Sequence, residues 1–176
     1  MFLYNNLRRF LGLLFAIAVV YFSAKSEKIL CWWGVVPIFF GEILRVWAAG
    51  YIRKNKVLAI LGPYRHVRNP LYAGSFLIGA GFGILSSNFI ILALIIIIFL
   101  LIYTLQINSE EKELAKIFGE KYINYKKNVG RWIPRWKPYN NENEKFDIKL
   151  AIFKNKEYNS ILGCIGIILL VLILRE

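Results

Sequence analysis

Apolar residues in this chain fall into long blocks that are separated by short charged segments. The clearest block, FIILALIIIIFLLIY from Phe89 to Tyr103, carries no charge and one hydroxyl group. A helix that is apolar on every side must be covered all round, and a soluble chain of 176 residues has no core large enough to do so. The pattern therefore predicts helices that lie in lipid.

Five apolar blocks bounded by charges predict an all-α, polytopic membrane bundle of about five transmembrane helices. The blocks run from about Leu7 to Ser23, Ile29 to Ile52, Leu71 to Leu85, Phe89 to Ile107 and Ser160 to Leu174. Only a short polar connection, SSN, separates the third block from the fourth, which predicts an antiparallel helical hairpin. Several blocks are close to the lower limit of roughly 17 residues for a span, so we expect little tilt or a locally thinned bilayer.

The long polar region lies between the fourth and fifth blocks. Its first part, SEEKELAKIFGEKYINYKK, has apolar residues at helical spacing, which predicts a cytoplasmic amphipathic helix that continues from the fourth span with a kink at Gly119. Tryptophans and prolines then end the helix and supply aromatic anchors for a membrane interface. We predict a membrane core over residues 1–135, then a cytoplasmic loop and a final transmembrane helix over residues 136–176.

The charge distribution predicts an orientation. The formal net charge is +12, and 19 of the 23 Lys and Arg residues lie at the N-terminus, in the 53–68 connection or in the 108–157 segment, which the five spans place on one side. Cytoplasmic loops of membrane proteins carry such an excess, so we predict a cytoplasmic N-terminus and a cytoplasmic polar region. Because this distribution accounts for the charge, no nucleic-acid partner is expected.

Two other features of the chain predict structural roles. Cys31 and Cys164 lie inside apolar blocks at no metal-ligand spacing, so we expect them to pack and expect no metal site. Arg8 and Arg9 precede an apolar stretch without a small-residue cleavage site, so the first block is predicted to be a retained helix and not a cleaved signal peptide.

The segment GPYRHVRNPLYAG, residues 62–74, is the first polar cluster with chemical potential. Asn69 and Pro70 form a helix-start signature, with Asn as N-cap and Pro at the first helical position. A helix that begins there points backbone N–H groups and the positive end of its dipole at the cytoplasm. An anion could bind at this end.

Acidic side chains form the second cluster. Glu110 and Glu111 end the fourth span, where carboxylates oppose the helix dipole unless a cation lies nearby. Arg65, Arg68 or a cationic ligand could supply that charge, or the two glutamates could be solvated interfacial charges. On the second span, Arg45 could pair with a glutamate three residues earlier, or it could guide the head group of a substrate.

These clusters resemble the isoprenylcysteine carboxyl methyltransferase and phospholipid methyltransferase family of integral membrane enzymes. The family pattern is a GPY turn, RHPxYxG, EExxL and FGxxY, then another Tyr and a Pro. Matching positions run through both clusters and the amphipathic helix: Gly62, Pro63, Tyr64, Arg68, Pro70, Tyr72, Gly74, Glu110, Glu111, Leu114, Phe118, Gly119, Tyr122, Tyr125 and Pro134. The stretch RVWAAGYIRKN, residues 45–55, is similar to the family's lead-in.

The chain departs from the commonest family pattern at one position. Asn69 stands where His follows the Arg, and an amide can hydrogen-bond a ligand but cannot titrate. The chain's single histidine, His66, is interpreted as an interfacial hydrogen-bonding residue. The departure puts in doubt any acid or base role for position 69.

The resemblance implies transfer of a methyl group from S-adenosylmethionine at the membrane surface. The donor would enter from the cytoplasm, and a lipophilic acceptor would arrive laterally from the bilayer. The implied catalytic residues are Arg68, Glu110 and Arg45. The implied cofactor site comprises Tyr64, Val67, Arg68, Asn69, Pro70, Tyr72, Glu110 and Glu111, with Tyr122 and Tyr125 either closing the pocket or packing the amphipathic helix.

The acceptor and the reaction class leave alternatives open. A carboxylate acceptor is ionised at neutral pH and needs an arginine, whereas an amine needs a base, so O-methylation is favoured over N-methylation of a phospholipid. A membrane reductase that uses NADPH has related C-terminal helices, and Asn69 makes a non-catalytic scaffold conceivable. Neither the acceptor nor the oligomeric state follows from the sequence.

Overall fold

The computed structural model describes residues 14, 16–21, 23, 30–53, 56–142 and 145–175. Within these ranges the chain forms helices and connecting segments and no β-strand, which confirms the all-α prediction. The α-helices are α1 (Val35–Ala49), α2 (Pro70–Leu85), α3 (Phe89–Phe118), α4 (Glu120–Asn128) and α5 (Tyr158–Ile173). Short helical turns cover Trp32–Gly34, Gly62–Arg65 and Leu150–Lys154.

One helix in the described part of the chain, α3, is long and apolar enough to cross a membrane by its length and composition. Helices α2 and α5 are apolar but have 16 residues each, or about 24 Å at 1.5 Å per residue, which is short of a hydrocarbon core of about 30 Å. Of the first predicted block, the described residues 14, 16–21 and 23 are helical, and the rest lies outside the described ranges. The five-span topology and its orientation stay predictions.

Helices α1 and α2 are in backbone contact. A Cβ atom added at Gly74 would lie 2.7 Å from the carbonyl oxygen of Gly41, and one added at Gly41 would lie 2.7 Å from that of Gly74. Only glycine permits such an approach. Further along the same interface, Ile38, Phe82 and Leu85 are buried in the main apolar core.

The predicted hairpin joins α2 to α3. The Asn88 side chain accepts hydrogen bonds from the backbone of Ile90 and Ile91, at 3.0 and 3.3 Å, and so caps the start of α3. Gly79 and Gly83 of α2 both face Ile95 of α3. The start of α2 and the polar end of α3 therefore lie at the same end of the hairpin.

The predicted kink at Gly119 is confirmed. Its φ of 52° is a left-handed conformation that glycine adopts without strain, and it separates α3 from α4. Tyr122 and Tyr125 of α4, with Val129 just after it, are buried against the connection that precedes α2. The break thus turns the amphipathic helix back over the polar end of the hairpin.

Candidate functional site

The GPYRHVRNP loop is held in place by the segment that follows α4. The Arg68 amide donates to the carbonyl of Gly130 at 2.9 Å, and the Arg135 amide donates to the carbonyl of His66 at 2.9 Å. The Nδ1 atom of His66 lies 2.8 Å from the Arg135 carbonyl oxygen. Because a carbonyl only accepts, this contact requires the proton on Nδ1. His66 therefore fastens the loop.

Asn69 and Pro70 precede and begin α2, as the helix-start signature predicts. Asn69 occupies the N-cap position as predicted, although its side chain makes no capping hydrogen bond. Its Nδ2 instead donates to the carbonyl of Arg131 at 3.3 Å, because the segment after α4 lies against it. Asn69 therefore positions the backbone beside the acidic pair.

Glu110 faces α2. The buried hydroxyl of Tyr72 donates to its Oε1 at 2.6 Å, and Gln106, one turn earlier on α3, donates to the same oxygen at 2.9 Å. The contact joins the RNPLY motif to the EE motif directly. Gln106 was not predicted, although its spacing of four from Glu110 is the helical neighbour spacing that could have identified it.

Glu111 lies on the other side of α3, where three cations surround it. Its side chain is 6% exposed, Arg68 lies 3.3 Å away, Lys126 lies 3.1 Å away, and Arg131 donates two hydrogen bonds at 2.9 and 3.2 Å. Burial alone would raise the pKa of this carboxyl, but hydrogen bonds from Arg131 and Lys126 and the charge of Arg68 hold that pKa below its usual value. Glu111 is thus not a solvated interfacial charge.

Of the cations that the sequence offered for the acidic pair, Arg68 is the one found beside Glu111. Arg131 and Lys126 were missed because they approach from the segment beyond the Gly119 kink, whose path the sequence pattern does not define. Their signal is indirect, since both lie in the stretch that matches the family between FGxxY and the final proline.

Arg68 keeps a hydrogen-bond donor unused. Its side chain is 10% exposed, and its Nε is buried without a hydrogen-bond partner in the described residues. A buried polar group without a partner costs free energy, and such groups are often the ones that bind ligands. The geometry therefore leaves one guanidinium donor unsatisfied and enclosed beside Glu111.

A pocket of about 270 Å³ adjoins Glu111. Arg131, Lys126, Lys112 and Asn108 also line it, so it presents one carboxylate and three cations. Glu110 does not line it, because neighbouring residues of a helix point about 100° apart. Arg68 does not line it either, because it contacts Glu111 from the side away from the pocket. The two predicted clusters are in contact, through Tyr72 with Glu110 and through Arg68 with Glu111, on faces of α3 that are about 100° apart.

Three tyrosines of the predicted cofactor site are buried together. Tyr122 and Tyr125 are each 2% exposed, and the Tyr125 hydroxyl donates to the carbonyl of Tyr64 at 2.8 Å. Burial and the charge of Glu111 raise the pKa of Tyr122 to about 12, against the opposing charge of Arg68. Both tyrosines of α4 pack the helix onto the loop. Val67 is likewise buried, as is Pro70.

Arg45 belongs to a separate polar cluster between α1 and the start of α5. It donates to Oε2 of Glu157 through Nε and Nη2, at 3.0 and 2.8 Å, and also contacts Ser75 of α2. Glu42 accepts hydrogen bonds from Ser160 and Cys164, at 2.7 and 3.1 Å. Arg45 therefore pairs with Glu157 and not with Glu42, the partner that spacing on α1 suggested, because residues more than 100 positions away reach α1.

Within the described residues, no group of three or more His, Cys, Asp and Glu side chains is placed to hold a metal ion. The polar clusters around Glu110, Glu111 and Arg45 are each built from carboxylates paired with cations, hydroxyls or amides. Their chemistry suits organic ligands that carry charge and hydrogen-bonding groups.

Comparison with known proteins gives partial matches. The Cobalt-zinc-cadmium resistance protein CzcN of Cupriavidus metallidurans is 32% identical over 111 residues, 62% of this chain and 51% of that protein. A Methanethiol S-methyltransferase of Pseudomonas deceptionensis is 41% identical over 71 residues, 40% of this chain and 26% of that protein. The Protein-S-isoprenylcysteine O-methyltransferase of Schizosaccharomyces pombe is 33% identical over 81 residues, which are 46% of this chain and 34% of that protein.

The chain spans about half or less of the length of these relatives. No solved structure matches it. The family profile described as phospholipid methyltransferase matches residues 7–121, which include the GPY turn, the NPLYAG start of α2 and the acidic pair. The chain therefore belongs to the phospholipid methyltransferase family.

Proposed function

We propose that this protein is an integral membrane methyltransferase that uses S-adenosylmethionine to methylate a lipophilic acceptor at the cytoplasmic surface. Among acceptors we favour a carboxylate, as in the isoprenylcysteine O-methyltransferases. The observation that carries the proposal is the buried guanidinium of Arg68, which has an unused donor beside a carboxylate held by three cations.

The residues present fit S-adenosylmethionine. Its methionine part carries a carboxylate, for which the pocket at Glu111 offers the cations Lys112, Lys126 and Arg131. The unused Nε of Arg68 and the first-turn amides of α2 are further donors at the same end of the hairpin. When bound, the cofactor would supply an electrophilic methyl group.

The charge balance suits a cationic donor that becomes neutral on reaction. A bare carboxylate against a sulfonium would stabilise the ground state more than the transition state and slow transfer. Here Glu111 is compensated by Arg68, Arg131 and Lys126, and Glu110 is held by Tyr72 and Gln106. These carboxylates are suited to positioning, which is the main task in an in-line displacement.

An aromatic cluster leads from Glu110 into the apolar part of the hairpin. The ring of Tyr72 lies 5.1 Å from that of Tyr103, which stacks on Phe99 at 4.0 Å. Phe76 and Trp132 pack against Phe99 at 5.0 and 6.1 Å. An apolar acceptor that enters from lipid would meet this cluster before it reaches Tyr72 and the donor, while Arg68 would bind its carboxylate.

Titration of the purified protein with S-adenosylmethionine and with NADPH separates the candidate functions. Binding of S-adenosylmethionine alone at micromolar concentration supports the proposal, binding of NADPH alone supports a reductase, and binding of neither supports a scaffold. Mass spectrometry of a lipid extract incubated with isotopically labelled donor would then identify the acceptor and distinguish O-methylation from N-methylation.

Two substitutions test the site. Arg68→Ala and Glu110→Ala should each abolish donor binding or transfer while the protein still folds, because each removes a partly buried polar group at the junction of the two motifs. Lys121→Ala, on the exposed face of α4, is the control and should leave both unchanged. Unaltered activity in both site variants would remove the assignment.

A further inference from the structure

A second, larger pocket of about 730 Å³ lies between the end of α1 and the segment that precedes α5. Four cations line it, Arg53 and Lys56 on one side and Lys149 and Lys154 on the other, against one carboxylate, Asp147. It shares no lining residue with the pocket at Glu111. A charge excess of this size at a concave site favours an anionic ligand.

The two walls of this basic pocket are fixed to each other. Asn155 donates to the carbonyls of Ala49 and Ile52, at 2.8 and 3.0 Å, and so caps the end of α1. The ring of Phe146 packs on that of Tyr51, with 6.1 Å between centroids. The pocket is therefore a built feature of the fold.

The single carboxylate that lines the pocket is engaged in a turn, because the Oδ1 atom of Asp147 accepts a hydrogen bond from the Leu150 amide at 2.9 Å.

The pocket also has an apolar side. Phe153 lines the pocket and remains 71% exposed, and the apolar helix α5 begins five residues later. An exposed aromatic ring beside a cluster of cations matches a ligand with an anionic head and an apolar tail.

We propose that this basic pocket binds the phosphate head group of an anionic phospholipid, with Phe153 in contact with the acyl region. A lipid held there would join the end of α1 to the start of α5. The site is independent of methyl transfer, and its occupant is a bound lipid and not a methyl acceptor.

Native mass spectrometry of the full chain in detergent would test this site. Phosphatidylglycerol should bind, whereas phosphatidylcholine, which has no net charge, should bind at least about tenfold more weakly. Lys149→Ser combined with Lys154→Ser should weaken phosphatidylglycerol binding by about tenfold or more. The matched control, Lys121→Ser with Lys127→Ser on the exposed face of α4, should leave it unchanged.

A second measurement separates lipid from free phosphate. Phe153→Ala should weaken phosphatidylglycerol binding without a change of charge, and inorganic phosphate should not displace the lipid. Full binding by the Lys149/Lys154 double variant, equal loss in the control, or displacement by equimolar inorganic phosphate would each overturn the proposal. None of these readouts depends on S-adenosylmethionine, so failure here leaves the proposed activity intact.

Discussion

Replacing Glu111 with Gln removes the negative charge on which three cations converge. Arg68 is the partner that matters most, because its side chain is 10% exposed and cannot recover water contacts. Breaking a buried ion pair from one side costs about 3 kcal/mol or more. Lys126 is 49% exposed, so its pairing with Glu111 is largely screened and contributes about 1 kcal/mol or less.

These magnitudes predict a ranking of unfolding temperatures in detergent. At about 2–4 °C per kcal/mol for a chain of this size, Glu111→Gln should lower the midpoint by about 6–12 °C. Lys126→Met should lower it by no more than about 4 °C on the same scale. Glu111→Gln should also lose S-adenosylmethionine binding, measured by calorimetry. Equal midpoints for the two variants would refute the burial argument.

Three further predictions concern other parts of the structure. The folded-state pKa of Glu111 is lowered, so its contribution to stability is complete above the unfolded pKa of about 4.3 and is lost as pH falls through the folded pKa. In melts recorded over a pH series, the higher midpoint of wild type relative to Glu111→Gln should therefore disappear in acid. A difference that persists in acid would contradict the pairing. Glu157→Gln should lower the melting midpoint because it leaves the largely buried Arg45 without its charge partner, at a cost of about 3 kcal/mol, and an unchanged midpoint would show that the C-terminal segment does not stabilise α1. Gly74→Ala should cost about 1–3 kcal/mol, since the added methyl meets a backbone carbonyl of α1. Gly163→Ala lies in a helix with open space around it, so it should leave the midpoint unchanged or raise it, because alanine favours a helix interior over glycine.

The helices could be predicted because their signals are local. The apolar run of α3, the Asn-Pro start of α2 and the glycine break at position 119 each act within a few residues. The approach of Arg68 to Glu111 could also be expected, because a short hairpin places the start of α2 beside the polar end of α3. The family resemblance pointed to the same two motifs.

The remaining contacts depend on the path of the chain between distant segments. Lys126 and Arg131 reach Glu111 only because α4 turns back, and Glu157 reaches Arg45 across 112 positions. No spacing rule relates such residues. One helix of the described residues is long enough to span a membrane, and the other predicted spans stay predictions.

The backbone contact between α1 and α2 limits where this protein can open. Glycines of each helix pack against backbone carbonyls of the other, so neither helix can slide without breaking the whole interface. The two helices therefore move as one rigid unit. Under the proposed function, an acceptor would then reach the acidic residues through movement of α4 about Gly119 or of the loop it covers. If the proposed methyl transfer takes place, stiffening that glycine should slow it, because α4 would then move less readily.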